Sequence, residues 1–522
     1  MTSTPLEQTT GRGPGSDSTD PPARTWSVAI PGDVERVLAQ HLTRADGQED
    51  ICFATYRRST GATRDTAILV DVVLPDAGDR EVHGNASFTS AYFLRAAGRA
   101  AASGLGLALL HTHPGATTWQ RLSRDDHNAE AGHAVQADVL TGHPLLGMTY
   151  GSGNKTYSAR FWPVTDLDPE PAWATSVRVI GSQIRMSYDP HLLPPAEPTV
   201  RLTRTVQAWG QPAQDDLARM RVGVIGAGSV AALVGEALAR TGFRQIDIID
   251  FDLVEEHNLD RLLHATSSDI GRGKSELLAS SLHSHAVATD ATITTYDHSV
   301  VEAAGWSRAL DCDVLFCCVD RPWPRFALNA AAYAHLIPVV DGGVAVDVPD
   351  GHLVGAEWRA HLVGPGRRCL ECLGQYDPAD VALERQGLLD DPTYISGLPA
   401  DHHLRRGENV FAFSMACAAA ETLELLRAVL APSDTPDVGA SLHHWTTGTT
   451  DHDTADCYPT CPFSTSLLGL ADDSGLTITG PHPAAEAARA LRRAQPVELV
   501  APTGPQLRNR RLAGWLRRRG RA

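Results

Sequence analysis

The segment RVGVIGAGSVAALVGEALARTG, residues 221–242, restricts this chain more than any other stretch. An apolar β-forming run enters a Gly-Ala-Gly turn and leaves it as an Ala- and Leu-rich helix, which is the opening unit of a β-α-β fold. Gly226 permits the tight turn and Gly228 lets the backbone approach a phosphate or sugar. Ala231 stands where the third glycine of GxGxxG would pack helix on strand. About twenty residues on, the strand QIDIIDF ends in Asp250, suited to accept a ribose hydroxyl. On these residues alone, a nicotinamide or flavin dinucleotide enzyme is the default expectation.

At 522 residues the chain is too long for one compact domain. Residues 1–24, rich in Thr, Ser, Pro and Gly, read as a disordered leader. Residues 25–165 mix strands (ICFATYR, TAILVDVVL, GLALLHTH) with helices (DVERVLAQHL, TSAYFLRAAGRAAASG) and read as one α/β unit. A proline-bearing linker is expected over 166–200. Strands alternate with helices through 201–465, which predicts a mainly parallel, doubly wound sheet. Residues 466–522 read as a tail, partly disordered, with one short amphipathic helix (PAAEAARALRRA) and a basic end, LRNRRLAGWLRRRGRA. The net charge of −17 argues against a nucleic-acid partner. No long apolar run or signal segment is present, so no membrane and a cytoplasmic location are expected.

In GLALLHTHP, His111 and His113 lie two residues apart, so an extended strand points both imidazoles the same way. A carboxylate from the following helix would complete a three-ligand zinc site with an open position. HTHPGATTWQRLSRDD resembles the zinc signature of the JAB/MPN (JAMM) deubiquitinase family, in which an early glutamate precedes HxHP and SxxD. The resemblance implies a cytidine-deaminase-like α/β fold over 25–165, with His111, His113 and Asp126 as zinc ligands. It also implies Glu49 as general base and Ser123 as an oxyanion stabiliser. The spacer before Asp126 is longer than the family pattern, so Asp125 competes as ligand, and Glu81 competes with Glu49. An inactive, metal-free JAB/MPN scaffold is the alternative for this unit.

After the glycine turn, IDIIDFDLVEEHNLDRLLHATSSDIGRGK strongly resembles the ubiquitin-activating-enzyme-like family that includes ThiF, MoeB and HesA. The family order D-x-D-x-V, N-L-x-R, D-I-G-x-x-K falls on Asp250, Asp252, Val254, Asn258, Leu259, Arg261, Asp269, Ile270, Gly271 and Lys274. Lys274 is one of only two lysines, the other being Lys155. CCVDRPWPRFALN matches the segment whose aspartate, here Asp320, contacts Mg2+ and ATP, with Arg325 and Asn329 following. Arg204 in the entry segment is the candidate for an arginine that reaches the partner's ATP across a homodimer. The resemblance implies a Rossmann-like fold and an adenylyltransferase. Gly226, Gly228, Asp250, Asp252, Asn258, Arg261, Lys274 and Asp320 would bind MgATP, and Arg204, Arg261 and Lys274 would supply cations to the reaction.

Nine cysteines without a secretory segment suggest reduced thiols or metal ligands. Cys369 and Cys372 form a CxxC, and Cys457 and Cys461 a CxxxC, which together can close a structural four-thiolate zinc site. The family carries such a zinc, commonly on two CxxC pairs. The loop beyond Cys372, where thioester-forming members place a nucleophile, has no cysteine. Cys312, Cys317, Cys318 and Cys417 read as buried structural thiols.

Taken together, the two resemblances imply ATP-dependent adenylation of the C-terminal glycine carboxylate of a ubiquitin-like or sulfur-carrier protein. Zinc-dependent (iso)peptide hydrolysis by the first unit would process or remove that protein. Sulfur-carrier activation in cysteine, thiamine or molybdopterin-type synthesis is the alternative.

Overall fold

The computed structural model describes residues 24–164, 170–399, 402, 404, 407–432 and 435–494. The expected leader up to residue 23 and the basic end LRNRRLAGWLRRRGRA lie outside them.

The first unit runs β1 (Thr25–Pro31), α1 (Gly32–Leu42), β2 (Ile51–Thr60), β3 (Arg64–Val73), β4 (Arg80–His83), β5 (Asn85–Phe88) and α2 (Ser90–Ala102). It continues with β6 (Gly106–His113), α3 (Arg124–Thr141), β7 (Leu145–Gly151), β8 (Thr156–Trp162), β9 (Ala172–Ile180) and β10 (Ile184–Tyr188). Its sheet has the order β1-β3-β2-β6-β7-β8-β9-β10, and β1 also pairs with β9, so the sheet closes on itself. The closure runs through β9, so β10, paired only with β9, remains an edge strand, and the closed strands have an inner and an outer face. Val28, Ala54, Leu110, Met148 and Phe161 fill one side. Phe53, Leu107, Leu109 and Trp162 pack on the other against Tyr92, Phe93 and Ala96 of α2 and Ala134 and Ala137 of α3.

Here the structure corrects the expected linker. Within 166–200, β9 lies parallel to β1 and β10 antiparallel to β9. In the segment WATSVRVI, Ser176 to Ile180 are buried without a break, and the prolines that suggested a linker come only after β10, in PHLLPPAEPTV.

The second unit contains α4 (Thr203–Trp209), α5 (Gln211–Arg219), β11 (Arg221–Ile225), α6 (Ser229–Thr241), β12 (Gln245–Ile249), α7 (Lys274–His285), β13 (Thr292–Tyr296), α8 (Ala303–Ala309) and β14 (Val314–Cys317). Then come α9 (Pro322–Ala334), β15 (Val339–Asp347), β16 (Gly355–Val363), α10 (Pro378–Arg385), α11 (Pro392–Gly397), α12 (Phe411–Leu430), β17 (Ala440–His444), β18 (Thr449–Asp453) and α13 (Pro483–Ala494). The sheet order is β13-β12-β11-β14-β15-β16-β17-β18. Strands β13 to β15 are parallel, as the alternating pattern requires, whereas β16, β17 and β18 add antiparallel pairings. The sheet is therefore mixed rather than mainly parallel. The cause is local, since β15 and β16 are joined by a short turn that has no room for a crossover helix.

The expected tail also differs. Asp472 accepts from Thr60 N (3.1 Å) and Oγ1 (2.7 Å), Arg492 donates to Phe251 O (2.8 Å), and Arg489 pairs with Glu302 (2.6 Å). Residues up to 494 thus belong to the folded body. The two units share one apolar core, in which Ile68, Ile180 and Tyr188 meet Val222, Val224 and Leu217. A buried ion pair, Arg64 to Asp313 (2.6 Å), crosses the same boundary. Among the described residues no helix is long and apolar enough to cross a membrane.

Candidate functional site

At the end of β11, Gly226 has φ 99°, and a Cβ there would lie 2.7 Å from Cys318 O, so the turn requires glycine. A Cβ on Gly228 would meet nothing within 4 Å, because it would project into a cavity. That cavity, of about 420 Å³, is lined by Gly226, Gly228, Asp250, Asp252, Asn258, Arg261, Lys274 and Asp320, all the nucleotide residues expected from the sequence. It sits at the carboxyl ends of parallel strands beside the start of α6, where backbone N–H groups are free for a phosphate. Ala231 is fully buried in the helix that packs behind it.

The carboxylates here have distinct tasks. Asp250 accepts the N–H groups of Ala227 and Asp252 (2.9 Å each), which fixes the turn, and burial with the nearby Asp252 pushes its pKa up. Asp252 instead pairs with Lys274 Nζ (2.8 Å). Burial works against the Lys274 ammonium, but Asp252 and Asp250 outweigh it and hold its pKa above the usual lysine value. Asn258 spends its side-chain oxygen on Glu255 N (3.1 Å), and Arg261 donates to His257 O (2.6 Å). Five carboxylates (Asp250, Asp252, Asp320, Glu408, Glu421) line the cavity against three cations (Arg261, Lys274, Arg325). A polyphosphate could enter such a site only with a divalent cation, which fits Mg2+ held at the exposed Asp320.

Three features were not legible beforehand. Ser229 Oγ lies buried at the cavity with no hydrogen-bond partner. Glu421, from α12 far along the chain, is buried beside Gly342, and burial raises its pKa well above the usual carboxylate value. Cys318, expected to be a buried structural thiol, is only partly buried and lines the cavity, whereas Cys312, Cys317 and Cys417 are buried. Arg325 spends itself on the carbonyls of Val319, Gln375 and Gly342, and Asn329 on Tyr376 and Leu370, so both hold the frame. Arg204 is exposed on α4, outside the lining of its own chain's cavity.

In the first unit, strand β6 delivers His111 and His113 side by side, with their Nε2 atoms 3.3 Å apart. Asp126 on the first turn of α3 brings its oxygens to 3.5 Å from His111 Nε2 and 3.7 Å from His113 Nε2. Tetrahedral zinc with bonds of about 2.1 Å separates its ligand atoms by roughly 3.4 Å, so the set fits the ion. His113 Nδ1 donates to Gln120 Oε1 (3.2 Å), leaving Nε2 as the lone-pair nitrogen. Burial, and then the charge of Arg160, hold the His111 pKa down at about 3, so its imidazole is neutral.

Asp125 is exposed, one residue and about 100° around the helix from Asp126. Glu49 is half-buried and within electrostatic reach of His113 and Asp126, and burial raises its pKa. Glu81 is exposed on β4. Ser123 caps α3: its Oγ accepts from Asp126 N and its own N–H donates to Asp126 Oδ2 (3.1 Å each). Its placement therefore orients Asp126. Behind the cluster, buried Arg160 binds Glu130 and Thr149 Oγ1 (2.6 Å), a support that the sequence did not announce.

The sulfur atoms of Cys369, Cys372, Cys457 and Cys461 lie within 4.8 Å of one another. Cys457 Sγ accepts from Cys369 N (3.1 Å), and Cys369 Sγ from Cys372 N (3.3 Å). Backbone donors on sulfur favour thiolate, the form that binds zinc, so this set also fits the ion.

Comparison with known proteins finds several likenesses. The tRNA threonylcarbamoyladenosine dehydratase of Escherichia coli is 30% identical over 152 residues, covering 28% of this chain and 54% of that protein. Ubiquitin-like modifier-activating enzyme 5 of Drosophila willistoni is 28% identical over 144 residues, 25% of this chain and 35% of its own length. The chain thus spans about half or less of these curated relatives. Among solved structures, Escherichia coli MccB superposes with a TM-score of 0.39 at 17% identity, covering 51% of this chain and 74% of that one. The ThiF family model matches residues 201–443, so this chain carries a ThiF family domain, with a Rossmann-like fold, behind its N-terminal unit.

Proposed function

We propose that the second unit adenylates the C-terminal glycine carboxylate of a ubiquitin-like or sulfur-carrier protein, and that the first hydrolyses a peptide or isopeptide bond after that glycine. The observation that carries the adenylation reading is the convergence of Gly226, Gly228, Asp250, Asp252, Asn258, Arg261, Lys274 and Asp320 on one cavity. A carboxylate oxygen bonds to the α-phosphorus of ATP while the bond to pyrophosphate breaks. Arg261 and Lys274 neutralise the growing negative charge, and α6 holds a phosphate on its N-terminal N–H groups. Asp320 would hold Mg2+, which when bound would offset the negative charge of the pyrophosphate. Arg204, exposed on α4, reaches the cavity of a second copy, which makes the enzyme a homodimer.

In the first unit, the residues His111, His113 and Asp126 would hold zinc, which when bound acidifies water and polarises a carbonyl. Glu49 takes and returns the proton, a role suited to a carboxylate with a raised pKa. Ser123 keeps Asp126 in place. The domains of this reading are 25–188 and 201–494, the second bearing a structural zinc on its four cysteines.

The 30% identity to a tRNA-modifying enzyme favours a second reading, in which the adenylated group is carried on RNA. One experiment separates them: mass spectrometry of what co-purifies with the Glu49→Gln variant in MgATP. A small protein ending in glycine, with its adenylate, supports the proposal. Recovery of tRNA or of a metabolite adenylate alone rejects it.

A further inference from the structure

On the far side of the glycine-turn helix lies a third cluster of metal-binding side chains that neither proposed reaction uses. Glu236 projects from α6, His285 from the last turn of α7, and His264 from the segment between Arg261 and α7. Their ligand atoms lie within 4.8 Å of one another. Glu236 Oε2 is 2.9 Å from His285 Nδ1 and 3.7 Å from His264 Nε2. These distances bracket the roughly 3.4 Å between ligands of one tetrahedral zinc ion. The second carboxylate oxygen, Oε1, is held by Arg240 Nε at 2.5 Å, which turns Oε2 towards the imidazoles.

An ion pair alone accounts for part of this. Arg240 and His285 would both be satisfied by Glu236. It leaves His264 unexplained, because His264 Nε2 is buried and has no hydrogen-bond partner. A buried ring nitrogen without a partner is costly. His264 also occupies the left-handed backbone region (φ 73°), where a non-glycine residue is held only by its surroundings. A Lewis acid between the three groups would satisfy that nitrogen.

We propose that Glu236, His264 and His285 bind a divalent transition metal of the zinc type, with the fourth position open to solvent. The donor set suits zinc, cobalt or nickel rather than magnesium or calcium, which prefer all-oxygen shells. The ion ties three pieces together: α6, whose first turn faces the nucleotide cavity; the segment three residues beyond Arg261; and α7, whose first residue is Lys274. It is a clamp on the two cations that line that cavity, placed outside the reacting atoms.

The test is equilibrium dialysis of the full chain against micromolar Zn2+, with bound metal measured by plasma mass spectrometry. A His264→Ala/His285→Ala variant is expected to hold one zinc fewer per chain than the parent. Glu236→Gln, which keeps the side chain's size and so its packing, is expected to bind that zinc roughly tenfold or more weakly. Hydrogen exchange gives a second readout: Zn2+ should protect residues 259–265 in the parent and not in Glu236→Gln. Equal zinc content and equal protection in the parent and Glu236→Gln would overturn the proposal, and Glu236→Gln decides it even if the double variant fails to fold.

Discussion

Lys274 Nζ donates to Asp252 Oδ2 at 2.8 Å on the wall of the glycine-turn cavity, so the lysine of the D-I-G-x-x-K motif is held in place by an acid twenty-two residues earlier. The pair is unequal, since the Lys274 side chain is 15% exposed and that of Asp252 is 47% exposed. The acid can relax into water, whereas the ammonium is committed to the cavity.

Replacing Lys274 by Met is therefore expected to affect ligand binding far more than stability. A charged hydrogen bond contributes about 1.5–3 kcal/mol, so MgATP affinity measured by calorimetry should fall roughly tenfold to a hundredfold. The half-exposed partner left behind should cost less than about 1 kcal/mol in a denaturant melt. Unchanged MgATP affinity would remove Lys274 from the site.

In the first unit, ligand and base should separate experimentally. His111→Ala should lose one zinc per chain and leave MgATP affinity as it was. Glu49→Gln should keep that zinc, yet slow cleavage of a glycine-terminal peptide bond by about 10²- to 10⁴-fold. If Glu49→Gln cleaves normally, the base is another group.

Glu384 gives a pH signature. Its carboxylate accepts from Trp323 N at 2.7 Å in a buried setting, and burial raises its pKa to about 7. A carboxyl raised in the folded state binds its proton more tightly there than when unfolded. Stability is thus highest below the unfolded value near 4.5 and declines as pH rises towards 7. The full effect is on the order of 3 kcal/mol. Glu384→Gln retains an oxygen for Trp323 N and should melt higher than the parent at pH 8, with the gap closing near pH 4.5. An equal gap at both pH values would show that Glu384 does not titrate in this way.

Arg64 and Asp313 join the two units in a place that water barely reaches, with side-chain exposures of 6% and 4%. Removing Arg64 leaves the buried Asp313 carboxylate with Arg221 N–H at 2.9 Å and only the more distant Arg178, at 3.9 Å, as a cation, so Arg64→Ala should cost about 3 kcal/mol. Chemical denaturation followed by tryptophan fluorescence would read it. A cost below about 1 kcal/mol would mean that Asp313 finds another partner.

Much of both centres could be read from short stretches because their geometry is local. A strand sends residues two apart to one side, which fixed the pairing of His111 with His113. A glycine turn between strand and helix placed Gly226 and Gly228 where a phosphate or sugar could approach, and the two cysteine knuckles announced themselves by spacing. The separate D-x-D, N-L-x-R and D-I-G-x-x-K stretches could be ordered along the chain, though their meeting in one cavity could only be expected by resemblance.

What tertiary structure alone decided depends on residues distant in sequence. Asp126 rather than Asp125 faces the imidazoles because α3 docks in one rotation, and Glu49 rather than Glu81 stands beside them because of where β2 enters the sheet. The closing of the first sheet rests on β9 finding β1 across nearly 150 residues, so part of the stretch read as a linker is structure. Glu421 in the nucleotide cavity, Arg64 on Asp313, and the meeting of Glu236 with His264 and His285 have the same origin. Side-chain periodicity tells which way a residue points within its own element. Which elements meet is set by how the apolar faces of the whole chain can be buried together.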